Sequence, residues 1–325
     1  MIKVGVIGGT GLVAGELLRL LVNHNQVDID FVYSTSSFGQ KITQVHSDLL
    51  ILKDLHFTDE INEYTDVVFL CLGHGNSMRF LKNNPFSNQT RIIDLSNDFR
   101  LGKNAYFKEK KFVYGLPELN YNEIKTAQYI ATPGCFATAI QTALLPLAKN
   151  NLLNEDIHIH AVTGATGAGK SLNKSTSFIW RNNNMSVYKS FTHQHLGEIT
   201  ESIKSLQTNF NKDINFVPMR GDFARGIFAS VYLKSEIDFK LIYDCFINFY
   251  KNSKFTIVSK QSIHLKQVVN TNYAIINIEK YDNKIHITTA IDNLLKGASG
   301  QAIHNMNLIF GFAEDEGLKL KASVF

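Results

Sequence analysis

Apolar residues recur in short runs separated by glycine-bearing turns, and the spacing of the runs changes along the chain. Ile2 to Ile7 is apolar apart from Lys3 and Gly5 and predicts a buried first strand. Leu17, Leu18, Leu20 and Leu21 then follow helical spacing. Ile29, Phe31 and Tyr33 alternate across Asp28 to Tyr33, a second strand. Asp66 to Leu72, Arg91 to Leu95 and Gln128 to Ala131 give three more. Past residue 150 the rhythm alters. His158 to Val162, Ile227 to Leu233, Thr256 to Val258, Tyr273 to Ile278 and Lys284 to Ile291 read as strands, with few long helices between them. Ile199, Ile203 and Leu206 mark one amphipathic helix and Phe239 to Tyr250 another. That half predicts a mixed sheet. A last helix opens within Lys296 to Asn307 and is long enough to carry the chain back to the first half.

The turns sharpen the picture. Gly8-Gly9-Thr10-Gly11 sits between the first strand and the first helix. Glycines there let backbone approach a pyrophosphate held at a helix N-terminus, which is the dinucleotide-binding layout. The second strand ends in Ser34-Thr35-Ser36-Ser37, with Lys41 beyond and no acidic residue at that end. Small hydroxyls and a lysine suit a ribose 2′-phosphate, so NADP(H) is expected rather than NAD. Gly73-His74-Gly75-Asn76-Ser77 closes the third strand. His74 and Ser77 either line the cofactor or, for His74, the ring is held by its own neighbours. Arg100, after the fourth strand, either binds a phosphate or pairs with Asp98. The fold class is therefore α/β. A Rossmann-type domain is expected over residues 1–134, completed by a C-terminal helix 297–325. An α+β catalytic domain with a mixed sheet is expected over 135–296.

Thr132-Pro133-Gly134-Cys135 delivers a cysteine through a sharp corner into an apolar helical run, with Thr138 as its expected cap. A thiol at a helix N-terminus feels the positive end of the dipole, which favours thiolate. A buried, inert cysteine is the alternative. His193 and His195 lie at i and i+2. On an extended segment they point to opposite sides, so at most one faces the site. A cysteine with a distant histidine suits nucleophilic acyl chemistry, with His193 the first choice for acid and base and His195 the second. Arg220 and Arg225 occupy a glycine-containing loop and suit a carboxylate or phosphate; Arg225 is the chosen candidate. Gly164 to Ser171 formally matches a P-loop. The polar stretch Leu172 to Ser177 has no apolar helix pattern, so a loop closing over cofactor or substrate fits better.

Composition removes other classes. The net charge is +4 with no basic block, so nucleic acid is not implied. Cys71, Cys135 and Cys245 are few and scattered, which argues against a disulfide framework or zinc site and for a reducing cytoplasm. Cys71 is expected in the core. No apolar run is long enough to span a bilayer, no leader pattern precedes the first strand, and no third residue completes a metal site with the two histidines.

The chain resembles the N-acyl-γ-glutamyl-phosphate reductase family, usually named N-acetyl-γ-glutamyl-phosphate reductase. The residues that carry the resemblance are Gly8 to Gly11, Ile93 to Arg100, Tyr114 to Leu119, Pro133-Gly134-Cys135, Thr163 to Gly169, His193-Gln194-His195 and Lys296 to Ala302. It departs from the family at Thr132, Ala14-Gly15, Asn182 to Asn184, Gly197 and Asp222-Phe223. The resemblance implies a semialdehyde-dehydrogenase-like architecture and reversible NADPH-dependent reduction of an N-acyl-glutamyl 5-phosphate to the semialdehyde, in arginine biosynthesis. It also implies a thioester on Cys135, an acetyl or succinyl N-acyl group, and a homodimer or homotetramer, with 135–296 as the oligomerisation domain as well. The cofactor contacts expected are Gly8, Thr10, Gly11, Leu12, Ser34, Ser36, Ser37, His74, Gly167, Gly169 and Asn305. Arg100 and Arg225 are expected at the substrate. An aspartate-semialdehyde-dehydrogenase-like reductase would differ in its preferred substrate. A non-catalytic NADP-binding sensor would have a slowly alkylated Cys135.

Overall fold

The computed structural model describes residues 1–171 and 174–323. Leu172 and Asn173, at the start of the polar stretch after the P-loop-like sequence, lie outside the described residues, as do Val324 and Phe325. The chain forms two units. The first comprises Met1–Pro133 with Ala298–Lys319, and the second Gly134–Gly297 with the residues from Leu320 onward.

The first unit runs β1 (Ile2–Ile7), α1 (Leu12–Leu21), β2 (Val27–Tyr33), α2 (Ile42–Val45), β3 (Val67–Leu70), α3 (Ser77–Asn83), β4 (Arg91–Asp94), β5 (Tyr106–Phe107), β6 (Lys110–Tyr114), α4 (Pro117–Thr126) and β7 (Tyr129–Ala131). Its sheet has the order β2-β1-β3-β4-β7-β6-β5. All neighbours are parallel except the terminal β5–β6 hairpin. Every residue of β3 is buried, as is β1 beyond Lys3, which is why both read as continuous apolar runs. α1 buries Ala14, Leu17, Leu18, Leu20 and Leu21, and pairs Arg19 with Glu16 at 2.8 Å across its other face. α4 is a helix that begins within the motif Tyr114 to Leu119. Pro117 stands at its start, where the missing N–H costs nothing.

The second unit opens with α5 (Cys135–Lys149), buried from Phe136 to Ala148. It continues β8 (Ile157–Thr163), α6 (Phe178–Arg181), β9 (Ser186–Val187), α7 (His195–Leu206), β10 (Ile214–Arg220), β11 (Ile227–Lys234), α8 (Phe239–Tyr250), β12 (Thr256–Ser259), β13 (Ala274–Tyr281) and β14 (Lys284–Ile291). The order β12-β13-β14-β11-β8-β10-β9 mixes parallel pairs, β8–β10 and β12–β13, with antiparallel ones. The mixed sheet is the one the pattern predicts. Phe136, Ile140 and Leu144 of α5 pack with Ile159, Val231 and Ile287 of the sheet and with Ile199, Ile203, Ile242 and Phe246 of α7 and α8. β10 is a full strand where the sequence suggests a loop. Pro218 argues against a strand, but its carbonyl still accepts the Tyr188 N–H at 3.1 Å.

The last helix, α9 (Ser299–Phe310), packs on α1 and α4 of the first unit. The segment 297–325 is thus divided. Gly297 belongs to the second unit, and so do residues 320–323, with Ser323 bonded to Val269 and Asn270 there. Among the described residues no helix is long and apolar enough to cross a membrane.

Candidate active site

In the second unit Cys135 is the first residue of α5, with Gly134 as N-cap. Thr138 is not the cap. It lies one turn inside the helix, and its hydroxyl donates back to the Gly134 carbonyl at 3.2 Å. The Gly134 N–H is held instead by Glu198 Oε2 at 2.9 Å, from the first turn of α7. Gly297 closes the other side. A Cβ there would come within 2.8 Å of Cys135 Cβ and 2.7 Å of the Asn293 carbonyl, so only glycine lets that loop pass the nucleophile. Gly297→Ala is expected to push Cys135 aside and lower kcat roughly tenfold or more, since small displacements of a reacting group are costly. Steady-state rates and the alkylation rate of Cys135 check it; an unchanged kcat would show that the close approach does not matter.

His193 and His195 do not diverge. The segment is a turn that enters α7 at His195, not an extended strand, and the two rings meet edge to face with centroids 4.6 Å apart. His195 N–H donates to His193 Nδ1 at 3.2 Å, so neutral His193 carries its proton on Nε2. His193 sits among the rings of Phe136, Phe216 and Tyr188, at 5.5, 5.5 and 5.8 Å. Burial, then the nearby Lys189, lowers its pKa to about 4. His195 is the ring placed against the corner. Its Nε2 is the nearest atom to where a Gly134 Cβ would stand, and it lies 4.0 Å from Glu198 Oε1. Glu198 carried no role in the sequence reading. Its signal was the i+3 spacing from His195, which puts both on one helix face. Lys189 and Phe191, just before the histidines, hold φ values of +47° and +59°, a left-handed backbone unusual for such residues. Strain there is local to the segment that sets the imidazoles.

Arg225 is fully engaged with a buried carboxylate. Its Nε and Nη2 meet Asp292 Oδ2 and Oδ1 at 2.9 and 3.2 Å, a bidentate pair. Asp292 also accepts the N–H groups of Asn270, Leu294 and Leu295. The loop with Gly167 and Gly169 is a 3₁₀ turn, Ala165–Ala168, and among the described residues Lys170 and Ser171 are not helical, unlike those of a P-loop. It is pinned by Thr166, whose hydroxyl bonds Ala224 and Asn293 at 2.7 and 3.0 Å. Cys245 is half-buried on α8, away from these groups in sequence and element.

In the first unit Gly8 has φ +80°, and a Cβ would meet the Cys71 carbonyl at 2.8 Å, so the turn demands glycine. Nothing lies within 4 Å of where a Gly11 Cβ would stand, which leaves the N-terminus of α1 open at Thr10, Gly11 and Leu12. Ser34, Ser36 and Ser37 follow β2, with the Ser34 and Ser36 hydroxyls 3.3 Å apart. Asn305 of α9 donates to the Gly115 carbonyl at 3.0 Å, and its buried Oδ1 has no partner among the described residues. An open glycine turn at a helix N-terminus, hydroxyls after β2 and an orphaned acceptor fit a phosphorylated dinucleotide. His74 Nδ1 accepts the Asn97 N–H at 3.1 Å, which orients the ring without occupying its Nε2. Ser77 is buried on Asp94, at 2.6 Å, and cannot line a ligand. Burial lifts the Asp94 pKa to about 6 against the bonds from Ser77 and Ser96. Burial, with the Asp94 charge, also pushes the Cys71 thiol far up, leaving it inert. Arg100 is 7% exposed and donates to the carbonyls of Thr132 and Leu95 at 2.8 and 3.1 Å, while Asp98 binds the N–H groups of Gly75 and Met78 at the start of α3.

Residues 3–127 match the family described as semialdehyde dehydrogenase, NAD binding domain, and residues 135–293 match semialdehyde dehydrogenase, dimerisation domain. Over the full length of both chains, the sequence is 57% identical to an N-acetyl-γ-glutamyl-phosphate reductase of Flavobacterium johnsoniae and 55% identical to one of Christiangramia forsetii. Identity to that of Bacteroides fragilis is 50%, again over both full chains. Among solved structures, aspartate semialdehyde dehydrogenase II of Vibrio cholerae superposes with a TM-score of 0.71 at 15% identity, covering 96% of this chain and 99% of that one. The Francisella tularensis aspartate semialdehyde dehydrogenase gives 0.69 at 17%, covering 95% and 100%. At such identities the structures speak to fold alone.

Proposed function

The chain belongs to the semialdehyde dehydrogenase family and, within it, to the N-acetyl-γ-glutamyl-phosphate reductases, and from that premise we propose how its residues divide the work. The protein is an NADP-dependent oxidoreductase that reduces an N-acyl-γ-glutamyl phosphate to the semialdehyde and phosphate, a step of arginine biosynthesis. Cys135 attacks the acyl carbon, and phosphate leaves as the thioester forms. Phosphate is a good leaving group, so a thiolate suffices. Bound NADPH supplies the hydride that converts the thioester to a thiohemiacetal. His195 takes the thiol proton, gives it to the thiohemiacetal oxygen and recovers it as the aldehyde departs and the thiolate is restored.

The observation that carries this reading is His195 Nε2 against the Gly134–Cys135 corner, with Glu198 clamping both. It supports His195 over His193 as the acid and base. His193, poorly basic in its aromatic box, then positions His195 through the bond to its N–H. In the first unit Gly8, Thr10, Gly11 and Leu12 receive the pyrophosphate, and Ser34, Ser36 and Ser37 the 2′-phosphate. Asn305 contributes its orphaned acceptor, with His74, Gly167 and Gly169 as further cofactor contacts. Arg225 meets the substrate only with Asp292 attached, and Arg100 serves the substrate as the anchor of its own loop.

The chain assembles as a homodimer or homotetramer through its dimerisation domain. Tyr232 on β11 supports this: it stays exposed on the sheet face away from the helices, stacked against His158 and His160 at 5.0 and 6.2 Å.

The deciding experiment runs the reaction backwards, with NADP, phosphate and N-acetyl- or N-succinyl-glutamate semialdehyde, following NADPH absorbance. Phosphate-dependent NADPH formation is expected, and the preferred aldehyde fixes the acyl group. Activity only with aspartate semialdehyde would replace the substrate assignment. No activity with any aldehyde despite NADPH binding would replace the catalytic one.

A further inference from the structure

Four arginines in the two units stand near groups already described, and three are satisfied. Arg100 is held by backbone carbonyls and Arg225 by Asp292. Arg181, 5% exposed, donates to the carbonyls of Ser175, Asn184 and Arg220 and to the Ser186 hydroxyl. Arg220 differs. Its Nε is buried with no partner among the described residues, and its Nη1 reaches the Ser175 hydroxyl only at 3.5 Å. A buried guanidinium N–H without an acceptor is costly, and an arginine fork is shaped for an oxyanion.

The side chain is also held in place. Arg220 ends β10, in register with Thr163 of β8 and Ser186 of β9, and its carbonyl takes the Arg181 bond at 2.7 Å. Its guanidinium lies over the Tyr188 ring, 4.6 Å from the centroid, and also hydrogen-bonds the Tyr188 side chain, which leaves Nε for another ligand. Tyr188 then meets His193 edge-on at 5.8 Å, and His193 meets His195, the ring at the Cys135 corner. The charges of Cys135 and Arg220 both act on the Tyr188 hydroxyl. Burial, then the thiolate, pushes its pKa up to about 12 while the guanidinium opposes.

We propose that Arg220, stacked on Tyr188 at the end of the ring cluster that leads through His193 and His195 to the Cys135 corner, receives an oxyanion of the substrate: a carboxylate, or the phosphate that leaves and returns. The proposal rests on Cys135 being the nucleophile. It assigns to Arg220 the anion recognition that Arg225, neutralised by Asp292, is less free to give. A specificity residue of this kind governs binding more than turnover.

The test compares wild type with Arg220→Gln and Arg220→Lys, each confirmed folded by its thermal midpoint. Cys135 is alkylated with iodoacetate and with iodoacetamide, and the Cys135 peptide is followed by mass spectrometry. Both reagents need the same thiolate, so their rate ratio reports the local cation and not the thiol pKa. R220Q is expected to lower the iodoacetate-to-iodoacetamide ratio by roughly five- to tenfold, with partial recovery in R220K. An unchanged ratio in R220Q overturns the proposal, whatever the activity assay shows. In the reverse reaction R220Q is expected to raise one KM about tenfold or more while kcat changes less. A rise for phosphate identifies the phosphate, and a rise for the semialdehyde identifies a carboxylate. Loss of kcat with both KM values unmoved overturns the proposal. Wild type that lacks phosphate-dependent activity would instead refute the catalytic reading, and the alkylation ratio would still judge Arg220.

Discussion

Cys135→Ser is expected to bind NADPH as wild type does and to lose at least about four orders of magnitude in kcat. The argument is chemical. The thiol stands at the first position of the buried helix α5, where the dipole favours its anion. A serine hydroxyl in the same place keeps the shape but has no accessible anion at neutral pH, and Glu198 is already committed to the Gly134 N–H. The proposed cofactor contacts at the glycine turn and the start of α1 belong to the other unit, so the substitution is expected to leave NADPH binding alone. Fluorescence titration with NADPH and single-turnover rates check both halves. Residual turnover above about one per cent of wild type would sink the covalent route, because a nucleophile that forms the intermediate has no substitute.

The sequence exposes the elements whose burial is complete and hides those where packing overrules local signals. β1 and β3 are buried on both faces, so their apolar runs needed no context. β10 was hidden by Pro218, which is tolerated because the two-residue β9 pairs only with Met219 and Arg220 and leaves Pro218 outside that ladder. The Pro-Gly-Cys corner was legible because proline, glycine and an apolar helix are all local features. The partners of that corner were not. Glu198 had a readable i+3 spacing from His195, but Gly297 and Asp292 lie more than 150 and 60 residues from what they touch, Cys135 and Arg225. An extended segment would put the two histidines on opposite sides. The helix start at His195 turns both into one cluster. Arg220 and Arg225 looked equivalent in a glycine-rich loop, and only the bidentate pair with Asp292 separates them.

The second large effect distinguishes the histidines. His195→Asn is expected to lower kcat by roughly 10²–10⁴, the usual worth of a positioned acid and base. His193→Asn is expected to cost less at pH 7, since Asn still accepts from the His195 N–H and only the fit of the aromatic box is lost. The pH profiles make the contrast sharper. His193 is already neutral well above its value of about 4, so it contributes no ionisation to the rate between pH 5 and 8. An acid limb in that window should therefore survive His193→Asn and vanish in His195→Asn. The stability profile should behave oppositely. With its folded pKa depressed below the ordinary value near 6.5, His193 stays neutral in the native state while the unfolded chain takes up a proton. Its contribution is present above pH 6.5 and lost as pH falls toward 4, so the thermal midpoint of wild type should drop across that range more steeply than that of His193→Asn. If instead His193→Asn erased the kinetic limb and His195→Asn kept it, the proton would belong to His193, and the hydrogen bond between the two residues would have to run with its roles exchanged in the working enzyme.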